Sequence, residues 1–87
     1  MRLDKFLKVS RLIKRRTVAK EICDAGRIEL NGRVAKAASE VNVGDVVTIH
    51  YGQKTTEVRV VRLSETARKD AAGDLYEVVR ESVREPQ

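Results

Sequence analysis

Tryptophan is absent from this 87-residue chain, and Phe6, Tyr51 and Tyr76 are its only aromatic side chains. The core must therefore come from Val, Leu, Ile and Ala within the 41% of residues that are hydrophobic, and it will be thin. A chain of this size makes one domain and buries only roughly 60 to 65% of its unfolded surface, which leaves little room for an enclosed substrate pocket. With Cys23 as its one cysteine, no internal disulfide can form. No apolar run approaches the roughly 20 residues of a membrane span, and the leading MRLDKFLK lacks the apolar stretch of a secretory signal. A reduced, cytosolic setting with no membrane partner is expected. Gly-rich phosphate loops, Ser/His/Asp sets and convergent acid pairs are missing too. His50, the single histidine, has no Cys or acid at ligand spacing, so no metal and no other cofactor is expected. Cys23 lacks a nearby His and reads as a small core residue. The chain reads as a binding protein and not an enzyme.

Positive charge is what the sequence has in excess, 18 Lys and Arg against 13 Asp and Glu, for a net +5. The excess is concentrated. Residues 1–36 hold eleven bases and four acids, a local +7, whereas 37–87 hold seven bases and nine acids, a local −2. A merely soluble surface intersperses both signs, so the front of the chain presents a field suited to a polyanion.

Leu3, Phe6 and Leu7 stand at helical spacing and predict a helix from Arg2 to about Leu12. Thr17 is the expected cap of a second helix, in which Val18, Ala19, Ile22, Cys23 and Ala25 face inward and which Gly26 closes. Between the two, Ile13 to Arg16 carries three positive charges in four residues. Like charges so close repel unless an anion sits against them, so the link is expected to be a phosphate contact. Arg27–Leu30 and Arg33-Val34 alternate around Asn31-Gly32, the dipeptide that best accepts the positive φ angles of a tight hairpin. Two longer strands are expected at Val46–Tyr51 and Thr55–Val61, with Val47, Ile49 and Tyr51 on one apolar face. From Ser64, SETARKDAAG reads as a short capped helix, LYEVVRESVREPQ as helix or strand, and the last residues as frayed.

The order helix, basic link, helix, Gly, Asn-Gly hairpin, Gly-Asp, strand resembles the S-four RNA-binding domain. Arg2-Leu3-Asp4-Lys5-Phe6-Leu7 fits the family's Arg-Leu-Asp-x-x-Leu, and Arg16, Ala19, Ile22 and Gly26 fit its second helix. Ile28, Leu30, Asn31 and Gly32 fit the hairpin, and Ser39, Val41 and Gly44-Asp45 the closing positions, so the match covers roughly residues 1–51. Two positions depart from the pattern: Arg15 stands where many members have Ser, and Ala38 where many have Pro. The first adds charge, and the second loosens a loop. The resemblance implies an α+β fold of the alpha-L type, with two N-terminal helices on a small antiparallel sheet over 1–63 and a helical or extended C-terminal extension over 64–87.

Within the family the chain is most similar to the short stand-alone members of bacterial ribosome quality control. A longer fifteen-kilodalton heat-shock type has a basic C-terminal extension, whereas 70–87 here has two bases and five acids. The resemblance implies binding to large ribosomal subunits obstructed by peptidyl-tRNA, with contacts to rRNA and tRNA. It also implies cooperation with an RqcH-type protein in template-free alanine tailing, and a monomer. A heat-shock-type factor acting on the same particle without tailing, and a basic module docking an acidic protein, are the alternatives.

RNA recognition of this kind rests on cations at phosphates, and paired RNA is read mainly by backbone shape. Arginine's planar fork holds a phosphate bidentately, which ranks Arg2, Arg11, Arg15 and Arg16 above Lys5, Lys8, Lys14 and Lys20. Arg2 and Arg16 are the contacts implied by the family, although either can instead pair with Asp4 or Glu21. Arg33 and Lys36 extend the patch along the hairpin. Asp4 is expected to serve the helix dipole and not RNA. Phe6 and Tyr51 are expected in the core, which favours phosphate and shape recognition over base stacking.

Overall fold

The protein was described from a computed structural model, which defines residues 1–64 and 72–83. Helix α1 spans Leu3–Val9 and α2 spans Arg16–Asp24. The strands are β1 (Ile28–Leu30), β2 (Arg33–Val34), β3 (Val46–Tyr51), β4 (Lys54–Val60) and β5 (Tyr76–Val83), the last preceded by a 3-10 turn at Ala72–Leu75. They form one antiparallel sheet in the order β2-β1-β3-β4-β5. This is the α+β arrangement the sequence implies.

Helix α1 is shorter than its apolar spacing predicts. The Ser10 hydroxyl donates to Leu7 O at 3.2 Å, and Arg11 takes a left-handed φ of 60°, so the chain leaves the helix axis there. Helix α2 begins one residue before the predicted cap: Arg15 is the extended N-cap residue, no side chain caps the helix, and Thr17 is exposed in the first turn. Its end agrees with the sequence. Gly26, at φ 76°, donates its N–H to Cys23 O, and Arg27 N donates to Ile22 O, a paired closure that satisfies the last carbonyls.

The hairpin turns at Asn31 and Gly32, both at positive φ (53° and 83°). Asn31 does more than turn the chain: its Nδ2 donates to Asp45 Oδ1 at 3.1 Å and its Oδ1 accepts from Val46 N at 2.9 Å. The second Asp45 oxygen accepts from Asn42 N, so the turn and the entry to β3 are fastened together.

Leu3, Phe6, Leu7 and Ala19 from the helices meet Ile28, Val47, Ile49, Val58 and Val60 from the sheet in one buried cluster. Fully burying such an aliphatic or aromatic side chain contributes about 1.5–3 kcal/mol, and no aromatic beyond Phe6 is needed. Ile13, 6% exposed, pins the middle of the link into this core.

Tyr76–Val83 is a strand, one of the two alternatives the sequence leaves open, and it pairs with β4 along its length. A bulge beside Glu57/Val58 interrupts that ladder. The helix predicted from Ser64 and the frayed end fall largely on 65–71 and 84–87, outside the described residues.

Candidate nucleic-acid interface

Asp4 sits in the first turn of α1 with 3% of its surface exposed. Its Oδ1 accepts from Arg2 Nε at 3.2 Å and from Lys5 N at 2.8 Å, while Oδ2 accepts from Arg16 Nε at 3.3 Å. Burial alone raises the pKa of this carboxyl. The Arg16 hydrogen bond and charge, the Lys5 N–H and the Arg2 charge outweigh that, holding it below its ordinary value. One buried anion thus gathers two arginines, one at the N-cap of α1 and one in the first turn of α2.

Pairing does not remove the arginines from solvent. The Arg2 and Arg16 side chains remain 51% and 46% exposed, so Asp4 fixes one edge of each guanidinium while the rest stays open to an anion. Pairing with Asp4 and exposure to an external anion are thus compatible in this geometry. The sequence shows Asp4 as an acid in a helix start, and only the fold shows it as the organiser of the pair.

The main chain around the pair is stitched to the loop after β2. Leu3 N donates to Ser39 O, Asp4 N to Ala37 O, and Val41 N to Met1 O, with an isolated bridge between Arg2 and Glu40. Ser39 Oγ accepts from Lys36 N at 3.0 Å. Ser39 and Val41 thereby earn their place in the sequence pattern as anchors of the first turn of α1.

Of the remaining predicted cations, Lys8 on α1, Arg11, Lys14 and Arg15 in the link, and Lys20 on α2 are exposed, whereas Lys5 is half-buried. Arg33 and Lys36 are exposed on and after β2, the sheet edge opposite β5. Tyr51 departs from expectation. It lies at the end of β3 with 36% of its surface exposed, and its hydroxyl donates to Leu12 O at 3.1 Å. Phe6 is fully buried, as expected.

His50 bridges strands, with Nε2 2.5 Å from Glu29 Oε2 and Nδ1 3.2 Å from Thr55 Oγ1. Cys23 is 2% exposed, and burial, assisted by Asp4 and Asp24, pushes its thiol up to about 11, which keeps it protonated at neutral pH. No three His, Cys, Asp or Glu side chains among the described residues are placed to hold a metal ion. No helix among them is long and apolar enough to cross a membrane. The described site gathers exposed cations around one buried carboxylate.

The S4 domain family model matches residues 1–47. The RQC P-site tRNA stabilizing factor of Halalkalibacterium halodurans is 59% identical over 81 residues, covering 93% of this chain and 92% of that protein. Its namesake in Bacillus subtilis is 56% identical over 81 residues, covering 93% and 94%. Among solved structures, trimeric Vibrio cholerae Heat Shock Protein 15 superposes with a TM-score of 0.85 at 29% identity, over 91% of this chain and 81% of that one.

Proposed function

The chain belongs to the S4 domain family, and from that premise we propose that it is an RNA-binding factor of ribosome quality control. In this reading it binds large ribosomal subunits obstructed by peptidyl-tRNA and stabilises the tRNA there, without chemistry of its own. The observation that carries it is the Arg2–Asp4–Arg16 arrangement, two half-exposed guanidiniums held by one buried carboxylate next to a basic link. Prepaying the side-chain ordering of both arginines favours binding, because long side chains otherwise lose rotamer freedom when they grip a phosphate.

Arg2 and Arg16 contact the RNA backbone, and Arg11, Lys14 and Arg15 widen the contact. Lys5, Lys8 and Lys20 on the helices, with Arg33 and Lys36 beyond them, supply the surrounding field. The factor acts as a monomer beside an RqcH-type protein and supports template-free alanine tailing of the stalled chain. Coverage of both chains almost end to end supports the short quality-control type over the longer heat-shock type.

Gradient sedimentation of cell lysate containing the tagged protein, wild type beside Arg16→Ala, tests this reading. Comigration with large subunits that retain tRNA, lost in the variant, is the expected result. Wild-type protein that stays at the top of the gradient overturns the ribosomal assignment.

A further inference from the structure

Among the described residues, the helical layer does not cover the whole sheet. On the helix-facing side, Tyr51 of β3, Thr56 of β4, and Tyr76 and Val78 of β5 line an open cleft of about 370 Å³, with Leu12 of the basic link on its rim. The strand registers agree: Ile49, Thr56 and Glu81 lie side by side across three strands, and Val60 and Tyr76 across two. Both tyrosines of the chain line this cleft, Tyr51 beside Lys54 and Tyr76 beside Val60, toward the two ends of β4.

We propose that this cleft receives one unstacked nucleobase from the RNA whose phosphates the adjoining link engages. The inference rests on the RNA-binding reading and adds a base-binding subsite to it. Tyr51 and Tyr76 line the cleft from its two ends, with Leu12 and Val78 as its apolar contacts, and either ring can stack on the face of a base. The polar groups fit its edge: Glu81 Oε1 is held 2.5 Å from Lys54 Nζ and lies 3.5 Å from Thr56 Oγ1, so a carboxylate and a hydroxyl are available to exocyclic amino and ring N–H donors. Charge orders the two parts of the ligand. Lys54, which also lines the cleft, neutralises Glu81, so the cleft offers no net positive charge to a phosphate, while Arg11, Lys14 and Arg15 favour one at the link. Tyr51 joins the two, because its hydroxyl donates to Leu12 O between Arg11 and Lys14.

The test uses the whole protein and two RNA probes, a hairpin with an unpaired loop and a fully paired duplex of the same length. Because Tyr51 and Tyr76 are the only tyrosines and tryptophan is absent, tyrosine ring resonances report on the cleft without mutation. The looped RNA is expected to shift both rings upfield and the duplex to leave them in place. Tyr51→Leu and Tyr76→Leu are expected to lose roughly 5- to 100-fold in affinity for the looped probe, with duplex binding little changed. Tyr51→Phe keeps the ring and the binding, which separates stacking from loss of the Leu12 hydrogen bond.

Ring resonances unmoved by the looped RNA, or leucine variants that bind it as the wild type does, overturn the subsite. If Arg16→Ala meanwhile weakens both probes, the RNA-binding reading survives that result. An apolar peptide that shifts the rings where looped RNA does not assigns the cleft to a protein and also overturns the inference. Failure of the wild type to bind either RNA removes both readings together.

Discussion

Arg2 and Arg16 are held to one another through a shared carboxylate, their Nε atoms 3.2 and 3.3 Å from the two oxygens of Asp4. The anion is nearly buried and the cations are half exposed, so a fixed internal charge orients an external pair. Asp4→Asn keeps the shape and removes the charge. Its expected loss of stability is about 2 kcal/mol, the size of hydrogen bonds to a charged group, read as a lower urea midpoint at neutral pH. RNA affinity falls with it, since both guanidiniums lose their anchor.

The same carboxylate sets an acid limit. Its pKa in the folded protein lies below the ordinary 3.8, so its contribution is complete above that value and is lost as pH falls through the folded pKa. Urea midpoints measured downward from about pH 5 should fall in the wild type, and that part of the fall should be missing in Asp4→Asn.

Arg11 occupies a left-handed position that glycine adopts freely, at an expense to the native state of about 1 kcal/mol. Arg11→Gly relieves this strain but loosens the unfolded chain by a similar amount, so stability should change by less than about 0.5 kcal/mol. RNA affinity should drop nonetheless, and the slope of log K against log salt should become shallower by about 1 if Arg11 meets a phosphate.

Asn31→Ala removes a residue tolerant of positive φ and the two side-chain hydrogen bonds to Asp45 and Val46. A loss of about 1–3 kcal/mol is expected in thermal or urea unfolding. RNA affinity, measured where the variant remains folded, should be nearly unchanged, because this turn fastens the sheet and carries no cation.

Cys23 gives a readout of opening. With its thiol pushed up to about 11 and only 2% exposed, alkylation at neutral pH should be slow in the folded protein and accelerate in urea in step with unfolding.

The helices and the hairpin were legible because their signals are local: Leu3, Phe6 and Leu7 at one spacing, Asn31-Gly32 at a turn, Gly26 at a helix end. The ends of α1 were not, because they depend on Ser10 back-bonding and on a left-handed arginine that no spacing rule marks. Thr17 is a good capping residue by type, yet α2 starts at Arg16, where tertiary contact with Asp4 decides the register. Tyr51 follows an apolar alternation that places it correctly on the helix-facing side. What the alternation could not show is that the helical layer stops short of it. The strand at Tyr76–Val83 was ambiguous for a related reason: its eight residues are mostly exposed, so neither helical nor strand periodicity stands out.

The stitching of α1 to the loop after β2 bears on how the protein is born. Leu3 and Asp4 take their backbone partners from Ser39 and Ala37, and Met1 O takes its donor from Val41. Residues 1–36 hold most of the positive charge but lack the segment that seats the first turn. During synthesis, the arginine pair is therefore set only after the chain has cleared the exit tunnel through Val41. A nascent copy emerges as a loosely charged peptide and gains its grip only when the loop after β2 reaches the first turn of α1.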